Sequence, residues 1–122
     1  MLLSLLLCQS IIYMEQSHYE ESLKCCNEAL KISNEIPEIY YRRSQSVAYN
    51  VSSTMEELKN SLNDIETALQ INPNEGHYKE HVKLVKQRIA EVQDLNKRII
   101  QSIIESKPTK QEQAVSHQIL EK

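Results

Sequence analysis

The sequence predicts an all-α protein of stacked antiparallel helix pairs, and three observations carry that prediction. Glu28-Ala29-Leu30-Lys31-Ile32 followed by Asn34 is written again as Thr67-Ala68-Leu69-Gln70-Ile71 followed by Asn72-Pro73. A chain that repeats one amphipathic helix ending is stacking helix pairs, which present grooves rather than reactive pockets. The 122 residues hold one Gly, three Pro and neither Trp nor Phe, too few turn formers for β architecture. Apolar residues also recur at three- and four-residue steps through most of the chain. From Ala29 to Ala68 is 39 residues, longer by about one loop than the roughly 34-residue period of helix-pair repeats. Asn50-Val51-Ser52-Ser53 is the candidate insertion.

The first helix is expected over residues 2–16, with Leu3, Leu6, Leu7, Ser10, Tyr13 and Met14 on one face and small Ser10 where a neighbour approaches closely. Met1-Leu2-Leu3-Ser4-Leu5-Leu6-Leu7-Cys8 resembles a signal-peptide core. It has no Lys or Arg ahead of it and ends too early to span a bilayer. It reads instead as a buried helix packing on a further helix upstream, so the chain is expected to be a fragment of a longer repeat array. Gln16-Ser17-His18 forms the turn. The second helix then runs over 19–32 with Tyr19, Leu23, Cys26, Ala29, Leu30 and Ile32 inward.

Pro37 suits the first turn of the third helix, where its missing N–H is unpaired anyway. That helix carries Ile39, Tyr40, Arg42, Arg43 and Val47, reaching toward Val51. Thr54-Met55-Glu56-Glu57 has the form of a capping box and starts the fourth helix, which continues through Leu58, Leu62, Ile65, Ala68 and Leu69. Pro73 stops it, and Asn74 is the expected cap of the next. Over 75–106 there is no proline, and Tyr78, Val82, Val85, Ile89, Val92, Leu95, Ile99 and Ile103 mark a single helix of about 45 Å. Lys107-Pro108 breaks it. Residues 107–122 form a polar tail, partly disordered or docked as a helix, with Ala114, Val115 and Ile119 on one weak face. The expected organisation is thus a repeat domain over 1–106, with repeats at about 3–36 and 37–74, and the tail at 107–122.

Net charge is −3 and the sequence pI about 5.8, which removes nucleic acid and anionic lipid from the expected partners. Cys8, Cys25 and Cys26 are odd in number, and two are adjacent, where a disulfide is awkward; a reduced, cytoplasmic setting fits them. Cys26, beside Leu23 and Ala29, reads as a small core residue rather than a redox group. Asn50-Val51-Ser52 matches a glycosylation acceptor that a cytoplasmic chain does not use. No phosphate loop exists around the single Gly76, so no nucleotide cofactor is expected.

Arg42-Arg43 is a candidate carboxylate binder, because guanidinium forks match carboxylates; the competing reading is a helix-surface pair with Arg42 held by Glu38 four residues earlier. His77-Tyr78-Lys79-Glu80-His81 has the H-x-x-E-H form of inverted zinc hydrolases. A third ligand is lacking apart from Glu91, Asp94 and distant His117, and histidines on a polar helix face are usually solvated, so no metal and no catalytic residue is expected. Ile99, Ile100, Ile103 and Ile104 predict a surface that needs covering by the tail, a second copy or a partner, which makes homodimerisation an alternative role. Lys83, Lys86, Arg88, Lys97 and Arg98 along the same helix give it a weaker likeness to calmodulin-target helices.

These residues resemble a tetratricopeptide domain, with Leu6, Ser10, Tyr13, Tyr19, Ser22, Cys26 and Ala29 at the signature sites of the first repeat. Cys26-Asn27-Glu28-Ala29-Leu30, Ile39-Tyr40-Tyr41-Arg42-Arg43 and Ala68-Leu69-Gln70-Ile71-Asn72-Pro73-Asn74 are similar to the repeat region of FK506-binding-type immunophilins. The resemblance covers two repeats and the terminal helix. It implies a peptidyl-prolyl isomerase domain upstream in the full-length protein, and docking on the C-terminal tail of a cytosolic heat-shock chaperone through a carboxylate clamp. Arg42 matches the clamp arginine, whereas Glu38 stands at the clamp lysine position and Cys8 at the clamp asparagine position. The expectation is therefore a non-enzymatic co-chaperone scaffold whose first and third helices offer Tyr13, Arg42, Arg43, Gln9 and Gln45 to a partner peptide on a concave face.

Overall fold

The computed structural model describes residues 2–106, which form five helices: α1 (Leu2–Glu15), α2 (Tyr19–Ile32), α3 (Pro37–Ala48), α4 (Met55–Ile71) and α5 (Gly76–Glu105). Among the described residues there is no strand, and no helix is long and apolar enough to cross a membrane. α1 packs on α2 and α3, α2 on α3, and α3 on α4. Residues through Glu91 cluster as one compact unit, and Val92 begins a second.

Local chemistry explains each boundary. α1 ends with Ser17 in the left-handed region at φ 61°, while Ser17 N–H donates to the Met14 carbonyl and His18 N–H to that of Tyr13. This paired arrangement closes a helix end and usually takes glycine. Pro37 starts α3, and Tyr40 Oη donates to the Asn34 carbonyl at 2.7 Å, closing the loop before it. Thr54 and Glu57 form the reciprocal capping box: Glu57 N–H donates to Thr54 Oγ1 at 3.2 Å, and Thr54 N–H to Glu57 Oε1 at 3.0 Å. These bonds hold the Glu57 carboxyl below its usual range.

The repeat seen in the sequence is a repeat of packing. One core cluster is Cys26, Ala29 and Ile39; the other is Ile65, Ala68 and Tyr78. Every member of the second lies 39 residues after its counterpart, and both alanines are fully buried. Small polar residues sit where the paired helices cross. Ser10 Oγ meets Ser22 Oγ at 2.9 Å between α1 and α2, and Ser44 Oγ meets Ser61 Oγ at 2.8 Å between α3 and α4. The sequence separations are 12 and 17 residues, so the insertion falls wholly inside the second hairpin. It is absorbed by the longer α3–α4 loop and by extra residues at the start of α4. In that loop Ser53 Oγ donates to the Val47 carbonyl and Ser52 N–H to Asn50 Oδ1.

Several expectations are corrected. α3 stops at Ala48 and Val51 is 85% exposed, because the inserted turn takes it away from the helix face. Ile32 is 50% exposed at the end of α2 rather than inward. Glu75, not Asn74, caps α5: its Oε1 accepts from His77 N–H at 3.3 Å and its carbonyl from Lys79 N–H. The tail at 107–122 and its apolar residues lie outside the described residues.

Candidate functional site

Arg42 projects from α3 in a polar group tied to α5. Its Nε donates to Glu38 Oε1 at 2.8 Å and its Nη1 to Gln45 Oε1 at 3.0 Å, and its guanidinium carbon stands 5.2 Å from the centre of the Tyr41 ring. The i,i+4 spacing brings Glu38 to Arg42 along one helix face. The other Glu38 oxygen accepts from Tyr78 Oη at 3.2 Å, so one carboxylate links α3 to α5. Tyr41 and Tyr78 lie ring to ring at 4.9 Å. Burial, with the Glu38 charge beside it, pushes the Tyr78 phenol up to about 12.

Around this group is a cavity of about 250 Å³ lined by Glu38, Tyr41, Arg42, Glu75, His77 and Tyr78. An incoming carboxylate would meet one guanidinium, already engaged by Glu38, and a second acid in Glu75. Glu38 thus occupies Arg42 as a partner's carboxylate would. The geometry accepts hydrogen-bonding side chains and aromatic contact, and it admits an acidic terminus only by displacing Glu38.

The other expected site residues separate. Gln45 is 8% exposed, turned inward to accept from Arg42 rather than open to a ligand. Gln9 is exposed, and Tyr13 is half-buried with its ring 6.3 Å from His18; neither lines the cavity. Arg43 serves as a strut. Its Nε and Nη2 donate to the two oxygens of Asp64, both at 2.8 Å, and its Nη1 donates to Asn27 Oδ1 at 3.2 Å. Neighbouring residues on a helix point about 100° apart, so Arg42 and Arg43 serve different sides of α3.

Arg43 borders a second recess that sequence reasoning missed. It measures about 390 Å³ and is lined by residues including Leu23, Asn27, Val47, Asn60, Asn63 and Asp64. A neighbouring recess of about 350 Å³ shares Leu23, Asn27, Val47 and Glu57 with it. No motif announces this groove, because its walls come from α2, α3 and α4 and meet only in the folded chain.

The two imidazoles of the H-x-x-E-H run part company. His77 is exposed, whereas His81, expected to be solvated, is 4% exposed. Its Nε2 lies 3.0 Å from Ser44 Oγ, and its ring stands edge-on to Tyr41 and Tyr49 at 5.5 and 6.0 Å. Burial brings its pKa down to about 4, against a hydrogen bond to Ser44 that pulls the other way. No group of three His, Cys, Asp or Glu side chains among the described residues could hold a metal ion, and His117 lies outside them. Cys26 is 1% exposed, with Sγ 3.2 Å from Ser10 Oγ, and burial pushes its thiol up to about 11, as suits a small core residue. Cys8 is exposed on α1.

No protein-family model matches this chain, and no curated protein matches its sequence.

Proposed function

We propose that this chain is a protein-docking scaffold of the tetratricopeptide type, similar to the repeat region of immunophilin co-chaperones, and that it holds a partner peptide beside Arg42. The observation that carries the reading is the doubled core. Two helix hairpins cross through serine pairs, and each buries, together with the helix that follows it, the same three positions 39 residues apart. Repeats of that kind stack into extended surfaces, and such surfaces bind peptides. The second support is chemical: Arg42, Tyr41, Tyr78, Glu75 and His77 surround a cavity of peptide-side-chain size without a nucleophile–base pair or a metal-ligand set.

Calorimetric titration with a short acidic peptide ending in a free carboxylate, and with its amide-ended twin, tests this. The expected result is weak binding of the free-acid peptide, strengthened about tenfold in Glu38→Gln and lost in Arg42→Ala. Binding that ignores both substitutions, or no binding by any of the three proteins, removes Arg42 from the role and the acidic-tail partner with it.

A further inference from the structure

Past residue 92, α5 exposes more apolar surface than scattered surface residues account for. Leu95 is 54% exposed, Ile99 49%, Ile100 58%, Ile103 65% and Ile104 56%. Isolated exposed apolar side chains are ordinary; a contiguous face of isoleucines is an interaction site. At four-residue spacing Leu95, Ile99 and Ile103 make one ridge, and Ile100 and Ile104 continue the neighbouring row from Asn96, leaving a groove between them. Such a surface is shaped to receive a ridge of its own kind. We propose that its occupant is a second copy of this chain, the two α5 segments packing ridge into groove across a twofold axis.

Charge and area select a copy over other occupants. Asp94, Lys97, Arg98 and Glu105 cancel within residues 92–106, and Arg98 Nη2 donates to Asp94 Oδ2 at 2.9 Å in the same helix. Two such faces meet without net repulsion. An anionic membrane surface instead selects an excess of Lys and Arg on the polar side with Trp or Phe among the apolar residues, and this segment has neither. The five side chains expose on the order of 500 Å² per copy, so a twofold pair that covers them removes about 1,000 Å² from water, the size a biological interface has to clear. In an isologous contact every residue acts twice, so a single substitution removes two contacts.

Sedimentation equilibrium of the full chain across the micromolar range is the test, with Ile99→Lys plus Ile103→Lys as the disrupting variant. Both residues are exposed, so helix content by circular dichroism is expected to stay unchanged. If charge melts the helix, Ile99→Ser plus Ile103→Ser gives the same readout. The expected result is a concentration-dependent dimer in the parent protein and, in the variant, at least a hundredfold weaker association. Leu5→Lys plus Ile12→Lys, on the exposed side of α1, is expected to leave the dimer intact. A parent protein monomeric throughout, a dimer that survives the α5 variant, or one abolished by the α1 variant overturns the proposal. So does a monomer that co-sediments with anionic phosphatidylserine vesicles through Ile99 and Ile103.

Discussion

Ser44 and His81, 37 residues apart in the chain, meet at 3.0 Å inside the protein and hold α3 to α5. Ser44 Oγ also donates to the Ser61 carbonyl at 2.8 Å, while Ser61 Oγ donates back to the Ser44 carbonyl at 3.0 Å. Three helices therefore share one buried polar knot. Its histidine is neutral because the charged form has lost its water; the rings of Tyr41 and Tyr49 flank it, and among the described residues no carboxylate is hydrogen-bonded to it.

This burial makes the fold acid-sensitive through one residue. The folded pKa of about 4 lies below the ordinary 6.5, so the stabilisation is complete above about pH 6.5 and is lost as pH falls toward 4. The full effect is about 3 kcal/mol. Urea unfolding between neutral and mildly acidic pH is expected to show this slope in the parent protein. In His81→Phe, which keeps a ring among the tyrosines, the slope over that range flattens. An unchanged slope shows that His81 is not the sensor.

Ser22 tests whether the hairpin crossing needs smallness or hydrogen bonds. Its Oγ lies 2.9 Å from Ser10 and 2.7 Å from Ser46, yet Ser10 also contacts Cys26 and Ser46 donates to the Arg42 carbonyl. Ser22→Ala leaves both neighbours bonded and is expected to cost at most about 1 kcal/mol. Ser22→Leu forces a branched side chain into the crossing and costs about 3 kcal/mol or more. Denaturant midpoints that rank the two the other way make the hydroxyl, not the volume, decisive.

Arg43 and Asp64 tie α3 to α4 with two parallel bonds in a setting where the side chains are 28% and 14% exposed. Asp64→Asn is expected to destabilise by about 1–2 kcal/mol, more than an exposed ion pair contributes, because both bonds are charge-assisted and half-buried. Arg43→Lys is expected to lose nearly as much, since an ammonium cannot reproduce the fork. Thermal melts of the two variants check this, and a silent Arg43→Lys shows that the fork geometry is idle.

Helix positions were legible where local rules act alone. Pro37 at the head of α3, the Thr54–Glu57 box before α4 and the buried pair Ala29 and Ala68 all stand where their spacing places them. The site was less legible. Arg42 and Arg43 look alike in sequence, but the first faces Glu38 of its own helix and the second faces Asp64 of another. His81 looks like half of a metal motif in the sequence, and its burial against Ser44, Tyr41 and Tyr49 makes it core.

The sequence by itself determined that the chain is helical, where most helices begin and end, and that it repeats. Those properties follow from residue spacing, proline and capping, which act within a few residues. Tertiary structure decided which polar side chains are buried, which arginine is a strut, and that Gln45 faces inward. The buried serines, His81 and Arg43 each depend on a partner 12 to 37 residues away, of which local spacing carries no record, and Gln45, bonded to Arg42 on its own helix, is buried by the way α3 packs.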